Sequence, residues 1–105
     1  MLIDVTQKIL GYEGEDLPTP TGVLTFREAV FQALNSVMEN ENPPVDQKER
    51  IYAVTSKVYA SPVAEIAIED AALIKERSGM IMSPLVHGRI CAILESANQL
   101  TAIEP

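Results

Sequence analysis

The sequence predicts a mainly α-helical fold: four short helices set as two helical hairpins, with a small N-terminal β-hairpin beside them. Three observations carry this. Thr25-Phe26-Arg27-Glu28 and Asp46-Gln47-Lys48-Glu49 each place a capping side chain three residues before a glutamate, the pattern that satisfies free amides at a helix start. Apolar residues at three- and four-residue spacing follow each of them. Aromatic residues make up only 5% of the chain and tryptophan is absent, so the core must be built from Ile, Val, Leu, Met and Ala, which suits helix packing.

Taken in order, residues 2–10 carry Leu2, Ile3, Val5, Ile9 and Leu10, a distribution read as an extended strand. Residues 11–22 are dense in glycine, proline and acids and read as an exposed loop. Val23 and Leu24 then pair back against the first strand. The first helix begins at Thr25, buries Phe26, Val30, Leu34 and Val37 with Ala29 and Ala33, and runs to about Met38. Pro43 and Pro44 stop it, because proline disfavours helical geometry in the residue before it.

The second helix opens at Asp46, buries Ile51, Val54 and Val58 with Tyr52 and Tyr59 on neighbouring flanks, and ends near Ser61-Pro62. A short extended link follows, with Val63, Ile66 and Ile68 pointing inward. Glu69 and Asp70 suit the positive end of a third helix, and Lys75 and Arg77 its negative end before Gly79, with Ala72, Leu73 and Ile74 buried. Ser83-Pro84 opens the fourth helix, a capping hydroxyl followed by proline in the first turn, and Leu85, Val86, Ile90, Ile93 and Leu94 continue it. The chain is expected to be one domain, with an N-terminal part at 1–24, a helical part at 25–97 and a loose tail at 98–105.

Charge and cysteine content narrow the function classes. The formal charge is -7, and nine of the fifteen acids fall in residues 1–49 against Lys8, Arg27 and Lys48. That field opposes phosphate backbones and anionic lipid, so neither direct nucleic-acid nor membrane binding is expected. A single cysteine, Cys91, rules out an intrachain disulfide and a multi-thiolate metal site and fits a reducing cytoplasm. No apolar run reaches the ~20 residues of a membrane span.

Few residues invite a chemical reading. His87 and Cys91 lie one turn apart and could share a helix face like a base and a thiol, but no orienting acid accompanies them, so both are read as structural. Glu13, Glu15 and Asp16 lack the ligand alternation and closing glutamate of a calcium loop. No phosphate-binding glycine loop, metal spacing or hydrolase serine is present. The expectation is therefore a chain that is not an enzyme and carries neither metal nor cofactor. Candidate contact residues are the acids Glu13, Glu15, Asp16, Glu39 and Glu41 and the apolar run Met80, Ile81 and Met82, since methionine adapts to varied partners. Gly88, inside the fourth helix, is read as permitting a close helix approach.

Leu24-Thr25-Phe26-Arg27-Glu28-Ala29-Val30 leading to Ala33-Leu34, Lys48-Glu49-Arg50-Ile51-Tyr52, Ile68-Glu69-Asp70 with Leu73-Ile74-Lys75, and Ser83-Pro84-Leu85-Val86 with Gly88 and Leu94-Glu95 resemble small accessory proteins of tailed bacteriophages and prophages. The resemblance spans residues 20–95 and is a pattern of helix starts and apolar positions. It implies a phage-encoded protein in the host cytoplasm and assigns no role to His87 or Cys91. Two functions follow as expectations: a protein-interaction module that modulates a host or phage protein, or a self-associating structural or chaperone component of head or tail assembly.

Overall fold

Thr25 starts the first helix as its sequence requires: the hydroxyl accepts the Glu28 amide at 3.3 Å. In the computed structural model, which describes the backbone of residues 1–38 and 41–103 and the side chains of these up to residue 97, that helix is α1, Phe26–Asn35. The other helices are α2, Val45–Ala60, α3, Ile68–Ile81, and α4, Pro84–Ile103. α1 packs against α2, α3 and α4, and α3 packs along α4. Phe26, Val30 and Leu34 of α1, Val54 and Val58 of α2, Ile74 of α3, and Ile90 and Leu94 of α4 close a core built almost entirely from aliphatic side chains.

Strand pairing differs from the expected hairpin. β1, Leu2–Asp4, pairs antiparallel with β4, Val63–Glu65, placing Ile3 opposite Ala64 with both buried beneath the helices. β2, Pro18–Thr19, and β3, Gly22–Val23, form a separate hairpin, so Val23 faces Pro18. Of the expected return to the first segment the Leu24 half is present, where Ile9 donates to the Leu24 carbonyl at 3.0 Å and Lys8 bridges Thr25, while Val23 pairs elsewhere. The reason lies in the alternation: Ile3 and Val5 need a buried face, and Ala64 and Ile66 supply the other half of it.

Several helix ends also move. α1 stops at Asn35 instead of Met38, because Ser36 turns extended and its carbonyl accepts from the Arg77 guanidinium at 2.6 Å; Val37 is consequently exposed. α2 begins at Val45, with Pro44 as its cap and no side-chain bond, so Asp46 does not cap it. α3 runs through Gly79 to Ile81, burying Ala71 where Ala72 was expected, and Arg77 is buried within it instead of lying at its end. Val63 and Ile68 are exposed, and of the three residues expected to point inward only Ile66 does, joined by Ala64. α4 continues as helix to Ile103, replacing the expected loose tail up to that residue; neither glycine nor proline interrupts it after Gly88.

Three arginines tie these layers together. Arg27 donates to the carbonyls of Val58 and Ser61, closing the C-terminal end of α2, and its guanidinium lies 5.3 Å from the Tyr59 ring centroid. Arg89 of α4 donates to the carbonyls of Leu10 and Gly11 at 3.0 and 2.6 Å, anchoring the acidic loop. Arg77, only 2% exposed, ties Ser36 to Glu41 through the Ser36 carbonyl and a two-point pair with the Glu41 carboxylate.

Candidate functional site

The acidic residues do not converge. Glu13 and Glu15 are exposed in the loop, and the Glu15 side chain folds back over Gly11, where any β-carbon would collide with it. Asp16 pairs with Lys8 at 3.3 Å. Glu41 is committed to buried Arg77 and also accepts the Met38 amide at 2.9 Å, which makes it a structural member of the core boundary. Glu39 lies outside the described residues. Met80 is exposed, whereas Ile81 and Met82 are half-buried and Met82 packs on the core.

The Arg77 guanidinium and the Met38 amide together hold the Glu41 carboxyl below its ordinary value of 4.5. A carboxylate whose folded value is depressed adds stability that is present above its unfolded value and lost as pH falls through the folded one. Acid unfolding of the parent should therefore gain a component below about pH 4.5 that Glu41→Gln lacks, with the variant already less stable at pH 7. Circular dichroism across pH 2–7 reads both; superimposable acid transitions would remove the pair from the fold's account.

His87 and Cys91 do share a face, and Ser78 joins them. Ser78 Oγ lies 2.8 Å from His87 Nδ1, and Cys91 Sγ lies 3.7 Å from Nε2. Ser78 Oγ also lies 3.1 Å from the Lys75 carbonyl, so its hydroxyl can donate to that carbonyl while accepting from a protonated Nδ1, or donate to an unprotonated Nδ1; the imidazole tautomer decides which. Burial raises the Cys91 thiol above its ordinary value, with Lys75 lowering it and Glu95 raising it by smaller amounts. The cluster packs the α3–α4 seam: a β-carbon at Gly79 would sit 3.3 Å from the His87 ring, so Gly79 provides the close approach that had been assigned to Gly88, whose own surroundings are open. A thiol-specific reagent at pH 8 should modify Cys91 more slowly in the folded protein than in urea; equal rates would contradict its burial.

The surface that does converge lies between α1 and α2. Tyr52, Thr55, Ser56 and Tyr59 recur at helical spacing on one face of α2, opposite Phe31 and Asn35 of α1. Phe31 and Tyr59 meet edge to face with centroids 6.0 Å apart. Asn35 fixes the helix pair by donating to the Phe31 carbonyl at 3.0 Å and Thr55 Oγ1 at 3.1 Å. Val37 and Pro43 close one end of a groove of about 470 Å³, whose floor is Leu34 and Ile51. Tyr52 is 76% exposed and Val37 59%, although both are apolar in most of their area.

These residues were not among the expected contacts. The signal was present: Tyr52 and Tyr59 are seven apart, a two-turn repeat that defines a second apolar face distinct from Ile51, Val54 and Val58. Missing was the knowledge that Phe31 lies across from it. Among the described residues no three His, Cys, Asp or Glu side chains gather as a metal site, and no helix is long and apolar enough to cross a membrane. Compared with family models, curated proteins and solved structures, the chain matches none of them.

Proposed function

We propose that the chain is a non-enzymatic protein-interaction module, phage-encoded and acting in the host cytoplasm, that binds a host or phage protein through the α1–α2 groove. In this reading α1–α2 and α3–α4 are two helical hairpins, and the first presents the contact face. The observation that carries the proposal is the run of exposed aromatic and aliphatic side chains Phe31, Tyr52, Tyr59 and Val37 over an apolar floor. A contiguous apolar surface kept in water is costly unless it is covered, and tyrosine brings large area with little rotamer freedom to lose, the traits of an interface centre. The acids Glu13 and Glu15 then act at longer range, setting encounter rate more than affinity.

Affinity capture from a bacterial host lysate with the parent chain and with Tyr52→Ala tests this. The side chain is largely outside the core, so the variant keeps its fold while losing the captured protein. Equal capture by both chains, or recovery of the chain alone as a concentration-dependent oligomer, contradicts the proposal; the second result favours self-association in head or tail assembly.

A further inference from the structure

The register of β1 against β4 determines which of its backbone groups are used. Ile66 donates to the Met1 carbonyl at 2.8 Å, Met1 donates to the Ile66 carbonyl at 3.1 Å, and Val5 donates to the Pro62 carbonyl at 2.9 Å. Hydrogen-bonded pairs recur at every second residue of an antiparallel ladder, so Ile3 and Ala64 form the pair between them. The amides and carbonyls of Leu2 and Asp4 therefore point away from β4. Gln7 takes the Asp4 carbonyl at 2.8 Å. The Leu2 amide, the Leu2 carbonyl and the Asp4 amide have no partner among the described residues.

That open edge faces a trough. β1 forms one side of a groove of about 760 Å³, and Ala92, Ile93, Ser96 and Ala97 of α4 form the other. The groove shares no residue with the α1–α2 surface. Proteins usually blunt a free strand edge by covering, bulging or charging it, because it templates pairing with another chain. Here the edge is short, yet it opens onto a cleft with an apolar helix wall, the arrangement in which an added strand gains both main-chain bonds and pockets for alternate side chains.

We infer that this trough takes an extended peptide segment of a partner protein as a third strand on β1, with small apolar side chains at alternate positions against α4 and a basic side chain at Asp4. Charge selects this occupant. Lys8 is paired with Asp16, Arg89 is committed to the Leu10 and Gly11 carbonyls, and Glu65 meets the Met1 amine. Asp4 accepts two hydrogen bonds from Thr6 but has no cation beside it among the described residues. A second copy, carrying the same formal charge of -7, is opposed by its own field.

The probe is an array of N-acetylated, C-amidated pentapeptides that alternate valine, leucine or isoleucine with threonine or lysine, read by amide chemical shifts and titration. The best binders should move the Leu2 and Asp4 amides and the α4 amides of Ala92 and Ser96. Affinity should fall about tenfold or more in Leu2→Pro, since an edge proline removes the outward donor, and equally in Ser96→Arg, which fills the trough from the exposed side of α4 without touching the strand. Asp4→Asn should weaken lysine-containing peptides selectively. The inference is overturned if no peptide binds more tightly than about 1 mM, or if binding survives both Leu2→Pro and Ser96→Arg. Movement of the Leu2 and Asp4 amides with protein concentration alone would also overturn it, assigning the edge to a second copy.

Discussion

Arg77→Ala should lower unfolding stability by about 2–3 kcal/mol, the range for losing hydrogen bonds made by a charged, buried donor. Arg77 is 2% exposed and donates to the Ser36 carbonyl and both oxygens of Glu41, so one side chain ties Ser36 and Glu41 to α3. Its Nε has no partner among the described residues, a cost in unsatisfied polarity that the bonds to Ser36 and Glu41 offset. Loss of Arg77 leaves its buried volume unfilled and frees Ser36 and Glu41 together. Thermal unfolding measures the first effect and hydrogen exchange at the Met38 and Glu41 amides the second. Because Arg77 also lines the α1–α2 groove, the variant should lose partner capture even where enough folded protein remains. A shift of less than about 1 kcal/mol would show that the pair is peripheral to the fold.

Phe26→Ala should cost about 3–5 kcal/mol, a transfer loss plus a residual cavity. Phe26 is fully buried at the first position of α1, among the largest side chains of the core. Its backbone reinforces the effect: the Phe26 amide donates to the Gln7 carbonyl at 2.8 Å and the Arg27 amide to the Val5 carbonyl at 2.9 Å, so the N-terminal segment hangs on this turn. For a domain of this size each kcal/mol moves the midpoint by about 4–8 °C, so a fall in Tm of roughly 12 °C or more is expected. Phe26→Leu, which keeps most of the volume, should cost well under half as much. Similar losses for both variants would argue that ring shape, not filled volume, governs the site.

What the sequence made legible was local. The Thr25 and Ser83 caps depend on neighbours three residues away, and both form as their patterns require. The buried stripe of Phe26, Ala29, Val30, Ala33 and Leu34 follows from helical spacing alone. Features that depend on distant partners were not legible. β1 finds β4 instead of Val23 because Ile3 and Val5 need Ala64 and Ile66, a match that the intervening helices bring about. Arg77 reads as a helix-end cation until its carboxylate partner, Glu41, is folded against it. Glu41 likewise reads as a surface acid until then.

The contact surface failed to show for the same reason. Each half is visible in sequence, Tyr52 and Tyr59 on one helix and Phe31 on another, but only packing makes them one face. Met80 to Met82 looked more exposed than it is because α3 was expected to end at Gly79; its continuation to Ile81 and the burial of Met82 leave Met80 as the exposed member.

The most direct test of the interaction reading is site-specific photo-crosslinking in bacterial host cells, with a benzophenone side chain placed in turn at Tyr52, Glu13 and Met80. All three positions are exposed, so each variant should fold and report only what touches it. The account predicts one discrete adduct of a second protein from position 52, and none or only traces from positions 13 and 80. A strong adduct from position 13 or 80 with none from 52 would contradict it, returning the contact to the acidic loop or to the α3–α4 turn.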